Sequence, residues 1–177
     1  LSTETGFVRD YGRNPYGGYD TQGVFPFLFN GDVSNELDPV EHVLGVEVNG
    51  AYTAYAFTLL EQEIVVNDYV NGVPVTVFWQ PGTNTALGGS DIATAADIGS
   101  ANAFERTVDG MELSFSEMYG VIFDFETGTT WDIFGNALKG ALEGESLTPV
   151  TSSNHFWFSW QSFHPGTAVY GLDMLDE

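Results

Sequence analysis

The stretch IVVNDYVNGVPVTVFW, residues 64–79, decides the fold, because two runs of apolar residues flank the dipeptide Asn71-Gly72. An Asn-Gly or Asp-Gly pair between such runs is the strongest short-range signal for a β-hairpin, since these residues accept the positive φ angles of a two-residue turn. Asn49-Gly50 and Asp109-Gly110 repeat the pattern. Three turns predict six antiparallel strands: 43–48 with 51–57, 64–70 with 73–79, and 103–108 with 111–118.

Helices are predicted to be few and short, because 21 glycines and 7 prolines interrupt most of the chain. One or two helical turns are predicted over Leu59–Glu63 and over Asp91–Asp97. In Asn154–Phe163 aromatic residues recur at helical spacing before Pro165, although alternate residues from Phe156 would also fit a strand. We therefore predict a mainly β chain, whose antiparallel hairpin-built sheets form a sandwich or a partly open barrel with a few short helices.

The composition is that of a globular protein. Of 177 residues, 43% are hydrophobic and 15% aromatic, enough to bury the core of a single domain over residues 1–177. With 25 acidic and 4 basic residues, the net charge is −21, which repels phosphate backbones and excludes nucleic acid as a partner. No run reaches the roughly 20 apolar residues of a membrane-spanning helix, so membrane insertion is not expected. The absence of cysteine excludes disulfides and thiolate chemistry.

The charge imbalance comes from missing basic residues, since charged residues make up only 16% of the chain. Arg9, Arg13, Arg106 and Lys139 are the whole basic set. This pattern suits an extracytoplasmic location, periplasmic or secreted, where salt screens the carboxylates from one another over about 8 Å or less. Neutral drift of the surface composition explains the pattern equally well.

Hairpin register places two charges on apolar faces. In the third hairpin, Arg106 faces Leu113 on the side that also carries the predicted pair Phe104 and Phe115. In the second hairpin, Asp68 is the lone charge on its side. Because an inward charge is costly unless paired, we predict a structural ion pair between Asp68 and Arg106. A ligand-binding role for the arginine is the less favoured alternative.

Motifs for catalysis and metal binding are absent. The sequence contains no Gly-x-Ser-x-Gly, His-Glu-x-x-His or Gly-x-x-x-x-Gly-Lys motif, and no catalytic residue is assigned. The histidines are His42, His155 and His164, whose spacing defines no metal site, and a half-buried structural role is predicted for His42. No cofactor is expected, although Asp124, Glu126 and Asp132 offer oxygen ligands for calcium. A solvated loop is the favoured interpretation there.

The aromatic segment near the end of the chain is a second candidate region. Trp157 and Trp160, with His155 and His164 beside them, could form a surface that binds a sugar or a protein partner. An aromatic stripe at helical spacing more often belongs to the core.

Several motifs in order make the chain resemble the DUF3179 family, a domain of unknown function, over nearly all of its length. The motifs are Leu1-Ser-Thr-Glu-Thr-Gly-Phe, Arg9-Asp-Tyr-Gly, Pro15-Tyr-Gly-Gly-Tyr, Val43-Leu-Gly-Val, Val66-Asn-Asp, Ala103-Phe-Glu-Arg, Asp124 with Thr127-Gly and Trp131, and His155-Phe-Trp-Phe-Ser-Trp with Pro165-Gly-Thr. The resemblance implies one unit of a longer or tandem protein. Many members carry Cys-Pro where this chain has Trp79-Gln-Pro-Gly, so a thiol function does not carry over.

Together these features favour a noncatalytic extracytoplasmic module with a structural, accessory-subunit or binding role. A protein partner, or self-assembly through an exposed strand edge, would fit such a module. The alternative is a hydrolase or metal-dependent enzyme with an acidic cleft. An enzyme should show a cleft with two or more titratable groups of perturbed pKa.

Overall fold

The computed structural model describes Gly6, Asn14 and residues 16–88 and 95–172, and this part of the chain is mainly β. The strands are β1 (His42–Val48), β2 (Ala51–Ala56), β3 (Val65–Val70), β4 (Val73–Gln80), β5 (Ser100–Glu105), β6 (Thr107–Val108), β7 (Met111–Glu112), β8 (Phe115–Met118), β9 (Val121–Asp124), β10 (Thr130–Trp131), β11 (Ala137–Lys139), β12 (Thr148–Pro149), β13 (Thr151–Phe156) and β14 (Ala168–Val169). The helices are α1 (Phe57–Glu63) and α2 (Trp157–Phe163).

The strands form three four-stranded sheets and one small ribbon. Sheet I has the order β13-β1-β2-β14, sheet II β12-β5-β4-β3, and sheet III β11-β10-β9-β8, while β6 and β7 pair with each other. All pairs are antiparallel except β14 with β2. The predicted mainly β, hairpin-built class is confirmed, and the sheets do not close into a barrel.

Two hydrophobic layers hold the sheets together, because alternate residues of the central strand β4 face opposite sides. Val75 and Val77 join Leu44, Val46 and Tyr55 in a core shared by sheets I and II. On the other face, Phe78 packs with Phe104 of sheet II and with Phe115 and Trp131 of sheet III. Sheet II is therefore buried on both sides.

The first two predicted hairpins form with the predicted register. Val48 pairs with Ala51, and Asp68 pairs with Val75. At both turns the asparagine has a φ of 50° and the following glycine a φ near 77°, as a two-residue turn of this type requires.

The third hairpin is shorter than predicted. Val108 does pair with Met111, but Phe104 pairs with Thr76 of β4 and Phe115 pairs with Asp124 of β9. Both edges of β5 are already occupied, by β4 and by β12, so the strand after Leu113 has no edge to extend along. Competition between distant strands decides this register, and the local sequence does not show it.

Both interpretations of Asn154–Phe163 hold, each for part of the segment. Residues up to Phe156 form β13, and α2 begins at Trp157. The predicted helix over Leu59–Glu63 lies within α1. Residues 91–94 of the helix predicted over Asp91–Asp97 lie outside the described residues.

Helix α2 covers the outer face of sheet I at very close range. Trp157 and Trp160 pack there against Val43, Ala54 and Val169. Gly45 permits this approach, because a Cβ atom at that position would lie 2.4 Å from the indole ring of Trp160.

Candidate functional site

The structure gives Arg106 a different partner from the predicted one. The Arg106 side chain is buried, and its Nη1 donates hydrogen bonds to Glu112 Oε1 at 2.7 Å and to the carbonyl oxygen of Leu113 at 2.9 Å. Asp68 accepts instead from the Tyr55 hydroxyl at 2.7 Å. Asp68 and Tyr69 are neighbours on β3 and therefore point to opposite faces, and the Arg106 guanidinium lies over the Tyr69 ring. The predicted pair is thus split between the two faces of sheet II.

The two tryptophans of the predicted binding surface belong to the core. Trp157 is 0% exposed and Trp160 4% exposed, because both fill the space between α2 and sheet I. The Trp160 Nε1 donates to Thr167 Oγ1 at 3.0 Å. His164 stacks on Tyr52 with ring centroids 4.1 Å apart and lies tilted against Trp160 at 4.0 Å. The two tryptophans do not form an exposed surface, because the apolar stripe of α2 faces sheet I.

His155 lies at the edge of this aromatic cluster. Its Nε2 is 2.7 Å from Ser153 Oγ, and its ring centroid is 5.2 Å from that of Trp160. Burial, together with the charge of His164, lowers the pKa of His155. His155 is therefore a neutral imidazole at pH 7.

The three candidate calcium ligands are separate structural carboxylates. Asp124 is fully buried and accepts from the Trp131 Nε1 at 2.9 Å and from Thr127. Asp132 accepts from two backbone N–H groups of its own turn, and Glu126 accepts from that of Ser114. No group of three or more such ligands that could hold a metal lies within residues 16–88 and 95–172.

An acidic cleft of about 270 Å³ opens beside His42, where β1 and α1 begin. Burial raises the pKa of Glu41 and lowers that of His42, while the Asp20 carboxylate opposes the shift at His42. The His42 Nε2 lies 4.0 Å from Asp20 Oδ2. Glu41 Oε1 accepts from the Thr58 N–H at 3.1 Å, so this carboxylate caps α1. We call this region the His42 cleft.

His42 also borders a second cavity of about 440 Å³ that lies against residues 154–156, the last three of β13. Its imidazole contacts the Phe156 ring, with centroids 4.7 Å apart. The other walls come from segment 84–87, Ile98, Asn154, His155, Phe158 and Ser159. Among the described residues, no carboxylate, lysine or arginine lines this cavity, which we call the β13 groove. The sequence does not reveal this groove, because the strand order that leaves β13 at an edge of sheet I is set by the whole fold.

Comparison with known proteins assigns the family. Residues 1–167 match a family described as "Protein of unknown function (DUF3179)". The chain belongs to the DUF3179 family. The resemblance seen in its motifs is thereby confirmed, whereas no curated protein and no solved structure matches the chain. No helix in the described ranges is long and apolar enough to span a membrane.

Several motifs by which this DUF3179 chain resembles its family lie in packed clusters. Asp124, Thr127 and Trp131 are joined by hydrogen bonds, and Trp160 is bonded to Thr167 across the end of α2. Arg106 bridges β6 and β7. These motif residues stabilise the fold of the DUF3179 chain and line neither of the two cavities.

Proposed function

We propose that this protein is a noncatalytic extracytoplasmic binding module that takes an extended, uncharged segment of a partner protein as an added strand along β13. The observation that carries the proposal is the outer edge of β13, which no described strand pairs with and which lies beside a groove. Peptides recognised by strand addition use backbone hydrogen bonds for affinity and side-chain pockets for specificity.

The backbone groups available for such pairing can be identified from the register. Trp157 N–H donates to the Glu41 carbonyl oxygen at 2.8 Å, and backbone bonding alternates along an antiparallel pair. The C=O of Phe156, the N-cap residue of α2, already accepts the first bond of that helix. By the alternation along the pair, Ser153 and His155 bond to β1, while the N–H and C=O groups of Ser152 and Asn154 and the N–H of Phe156 point to the free edge. No described residue bonds to those groups.

β13 also lacks the features by which proteins protect an exposed edge. Edge strands are usually interrupted by lysine, acidic residues or proline, or are covered. β13 has six residues, TSSNHF, with none of these. The other six-residue edge strand, β3, contains Asp68 and is tied to β8, because the Asn67 side chain bonds to both backbone groups of Phe115. An unprotected edge favours a role in binding.

The chemistry of the β13 groove indicates the class of segment. The described lining of the groove contains no carboxylate in a chain of net charge −21, and the nearby Asp20 carboxylate is bonded to Thr85. Burial lowers the pKa of both imidazoles that line the groove, His42 and His155. Both are uncharged at pH 7, while Phe156 and Phe158 supply apolar surface. An extended segment with small or apolar uncharged side chains fits this lining.

The extracytoplasmic part of the proposal is supported by composition. Four basic residues among 177 give an acidic chain whose self-repulsion is relieved by salt. Fractionation of the native cells, followed by detection with an antibody to the folded chain, tests this part. Recovery from the cytoplasm alone would overturn it.

A random heptapeptide library displayed on phage provides the probe for the groove. We expect selected peptides to be uncharged, and to protect the amides of Ser152, Asn154 and Phe156 from hydrogen exchange on binding. Asn154→Pro removes one outward N–H and leaves the bonds to β1 in place, so it should abolish binding. Asn154→Ala keeps that N–H and is the matched control.

Three results would overturn the binding proposal. Peptides that bind the Asn154→Pro and Asn154→Ala variants equally well would place their site elsewhere. A library that yields no binder would show that the edge does not accept a strand. Dimers that form at micromolar concentration and are lost in Asn154→Pro would show that β13 pairs with a second copy.

The His42 cleft favours a second candidate, an enzyme that uses acid and base groups. It combines a carboxyl of raised pKa with an imidazole of lowered pKa, as the alternative hypothesis required. Glu41, however, already caps α1. The assay is hydrolysis of p-nitrophenyl acetate and p-nitrophenyl glycosides. Activity that is lost in His42→Gln but kept in His164→Gln would support an enzymatic role, and the absence of turnover by the wild type would oppose it.

A further inference from the structure

A third cavity, of about 400 Å³, lies between sheets II and III. Its apolar lining residues are Ile64, Ile122, Ile133 and Leu138, together with the buried Trp79 and Trp131. Gln80, Pro81, Gly120 and the carboxylates of Glu117 and Asp132 complete the lining. We call this cavity the tryptophan cleft, and it shares no lining residue with the β13 groove.

Both indoles are fixed by bonds that point away from the space. The Trp79 Nε1 donates to the Ile98 carbonyl oxygen at 3.3 Å, and the Trp131 Nε1 donates to Asp124 Oδ2 at 2.9 Å. Gly99 allows the Trp79 ring to lie against the backbone, since a Cβ there would be 2.2 Å from the ring. The Trp79 ring also belongs to the core shared by sheets I and II, whereas Trp131 packs with Phe115 between sheets II and III. With both N–H groups bonded, neither indole has a free polar atom.

Ile64 adds a wall in an unusual conformation. Its φ of 62° and ψ of −44° are strained for a β-branched residue. The conformation is held from both sides, because the Ile64 N–H donates to Leu60 O at 2.8 Å and its carbonyl oxygen accepts from the Trp79 N–H at 2.9 Å. The wall next to the tryptophans is therefore preorganised.

The charge around the cleft has one sign. Glu117 and Asp132 are the ionisable residues of the described lining, in which lysine, arginine and histidine do not occur. Each carboxylate is oriented by its own turn: Glu117 accepts from the Gly120 N–H, and Asp132 accepts from the Asn136 N–H at 2.8 Å. An anion would be repelled there, whereas an ammonium group would be attracted.

We propose that the tryptophan cleft binds a small organic cation, an alkylammonium or arylammonium compound whose apolar body enters between sheets II and III. The ammonium group lies at the mouth beside Glu117 and Asp132, and the hydrocarbon contacts Ile64, Ile133 and Leu138. Carboxylates and aromatic carbon are the groups that recognise such cations in proteins. The site is independent of the proposed peptide binding at β13.

Phenyltrimethylammonium is the probe, with benzyl alcohol as the neutral comparison and benzoate as the anionic one. Titration followed by NMR of the indole N–H signals should show saturable shifts of Trp79 and Trp131 with the cation, weaker shifts with the alcohol and none with benzoate. Because salt screens the attraction, raising NaCl from 0.05 to 1 M should weaken cation binding about two- to fivefold. Equal binding of benzoate would overturn the proposal.

Two pairs of variants locate the site. Glu117→Gln keeps an acceptor for the Gly120 N–H but loses the charge, and should weaken cation binding about two- to fivefold. Glu126→Gln, at a carboxylate outside the cleft that also accepts a backbone N–H, should leave binding unchanged. Leu138→Lys places a cation at the mouth and should abolish binding, whereas Phe163→Lys, at a similarly exposed residue on α2, should not. Binding that persists in Leu138→Lys would contradict the assignment.

Discussion

At the scale of single residues, Gly45 decides how closely α2 approaches sheet I. Gly45→Ala would place a Cβ 2.4 Å from the Trp160 ring, so the helix must move or the ring must leave its position. We expect a loss of about 1–3 kcal/mol in the free energy of unfolding, the usual cost of overpacking a core. Urea unfolding followed by tryptophan fluorescence measures this loss.

The same substitution in the Trp160→Leu protein tests whether contact with the Trp160 ring causes this loss of stability. In a double-mutant cycle, Gly45→Ala should cost clearly less when the larger ring is absent. An equal cost in both backgrounds would mean that the alanine acts on the β1 backbone and not through Trp160.

Arg106 and its partners predict a loss of stability in acid. The hydrogen bond from Tyr69, together with Arg106, lowers the pKa of Glu112. A carboxyl whose pKa is lower in the folded protein contributes stability above its unfolded pKa, and this contribution disappears as pH falls through the folded value. Unfolding measured from pH 7 to pH 3 should therefore show a smaller acid-induced loss in Glu112→Gln than in the wild type.

Glu145→Gln is the control for that measurement, because Glu145 is an exposed residue with no ion pair among the described residues. Its acid-induced loss should match that of the wild type. If Glu112→Gln and Glu145→Gln both lose as much stability as the wild type between pH 7 and pH 3, the Glu112 carboxylate makes no acid-sensitive contribution to folding stability.

These residues also show what the sequence could reveal of the site. Hairpin register places Arg106 beside Leu113, and the structure keeps both together. Register relates strands within a hairpin but does not show which face of one hairpin meets another, so the partner of Arg106 could not be derived. The β13 groove depends on segment 84–87 and on His42, which are distant in sequence and meet only in the fold.

At the scale of elements, the segment 39–41, just before β1, stabilises the start of both helices. Neither Ala56 nor Phe156 offers a side-chain cap, which leaves the first N–H groups of α1 and α2 without a helical partner. Glu41 supplies its side chain to Thr58 of α1 and its carbonyl oxygen to Trp157 of α2. The segment therefore links two helices that are a hundred residues apart in sequence.

Glu41→Gln should raise stability at pH 7. Burial raises the pKa of Glu41, so the folded protein favours the protonated form and loses stability as pH rises through that pKa. Glutamine keeps the acceptor for Thr58 without the buried charge. Thermal unfolding should show a gain over the wild type at pH 7 that shrinks towards pH 4.

Glu41→Ala separates the cap from the charge. It removes the acceptor, and at pH 4, where the charge is largely absent, it should cost about 1–2 kcal/mol, the usual cost of losing a helix cap. If Glu41→Gln is as destabilised as Glu41→Ala at both pH values, the contact with Thr58 requires the carboxylate.

Sequence predicts these elements well where the determinant is local and poorly where it is not. The turns at Asn49-Gly50 and Asn71-Gly72 fix two hairpins in the correct register. The sequence does not indicate the turn at Tyr119-Gly120, which joins β8 and β9, because tyrosine seldom adopts a positive φ such as the 53° found here. The predicted third hairpin is longer than the observed one, because β12, which comes much later in the chain, occupies the edge of β5 along which it would continue.

At the scale of the whole molecule, the net charge of −21 is spread over a chain with only four basic residues. Like charges destabilise the compact state, and salt shortens the range of their repulsion from about 30 Å at 0.01 M to about 3 Å at 1 M. Within the described residues, the ion pair of Arg106 with Glu112 is the one pair that does not involve histidine. Salt therefore screens far more repulsion than attraction.

We expect the thermal midpoint to rise with NaCl between 0.01 and 1 M. A gain of about 2 kcal/mol would raise Tm by about 4–8 °C in a chain of this size. Differential scanning calorimetry at pH 7 measures the change, with sucrose at matched osmolality as the uncharged control. A midpoint that rises equally in sucrose would assign the gain to solute exclusion, and a midpoint that falls with NaCl would mean that attractive pairs dominate the electrostatics. A rise specific to salt would tie the stability of this fold to a saline medium, in agreement with an extracytoplasmic location.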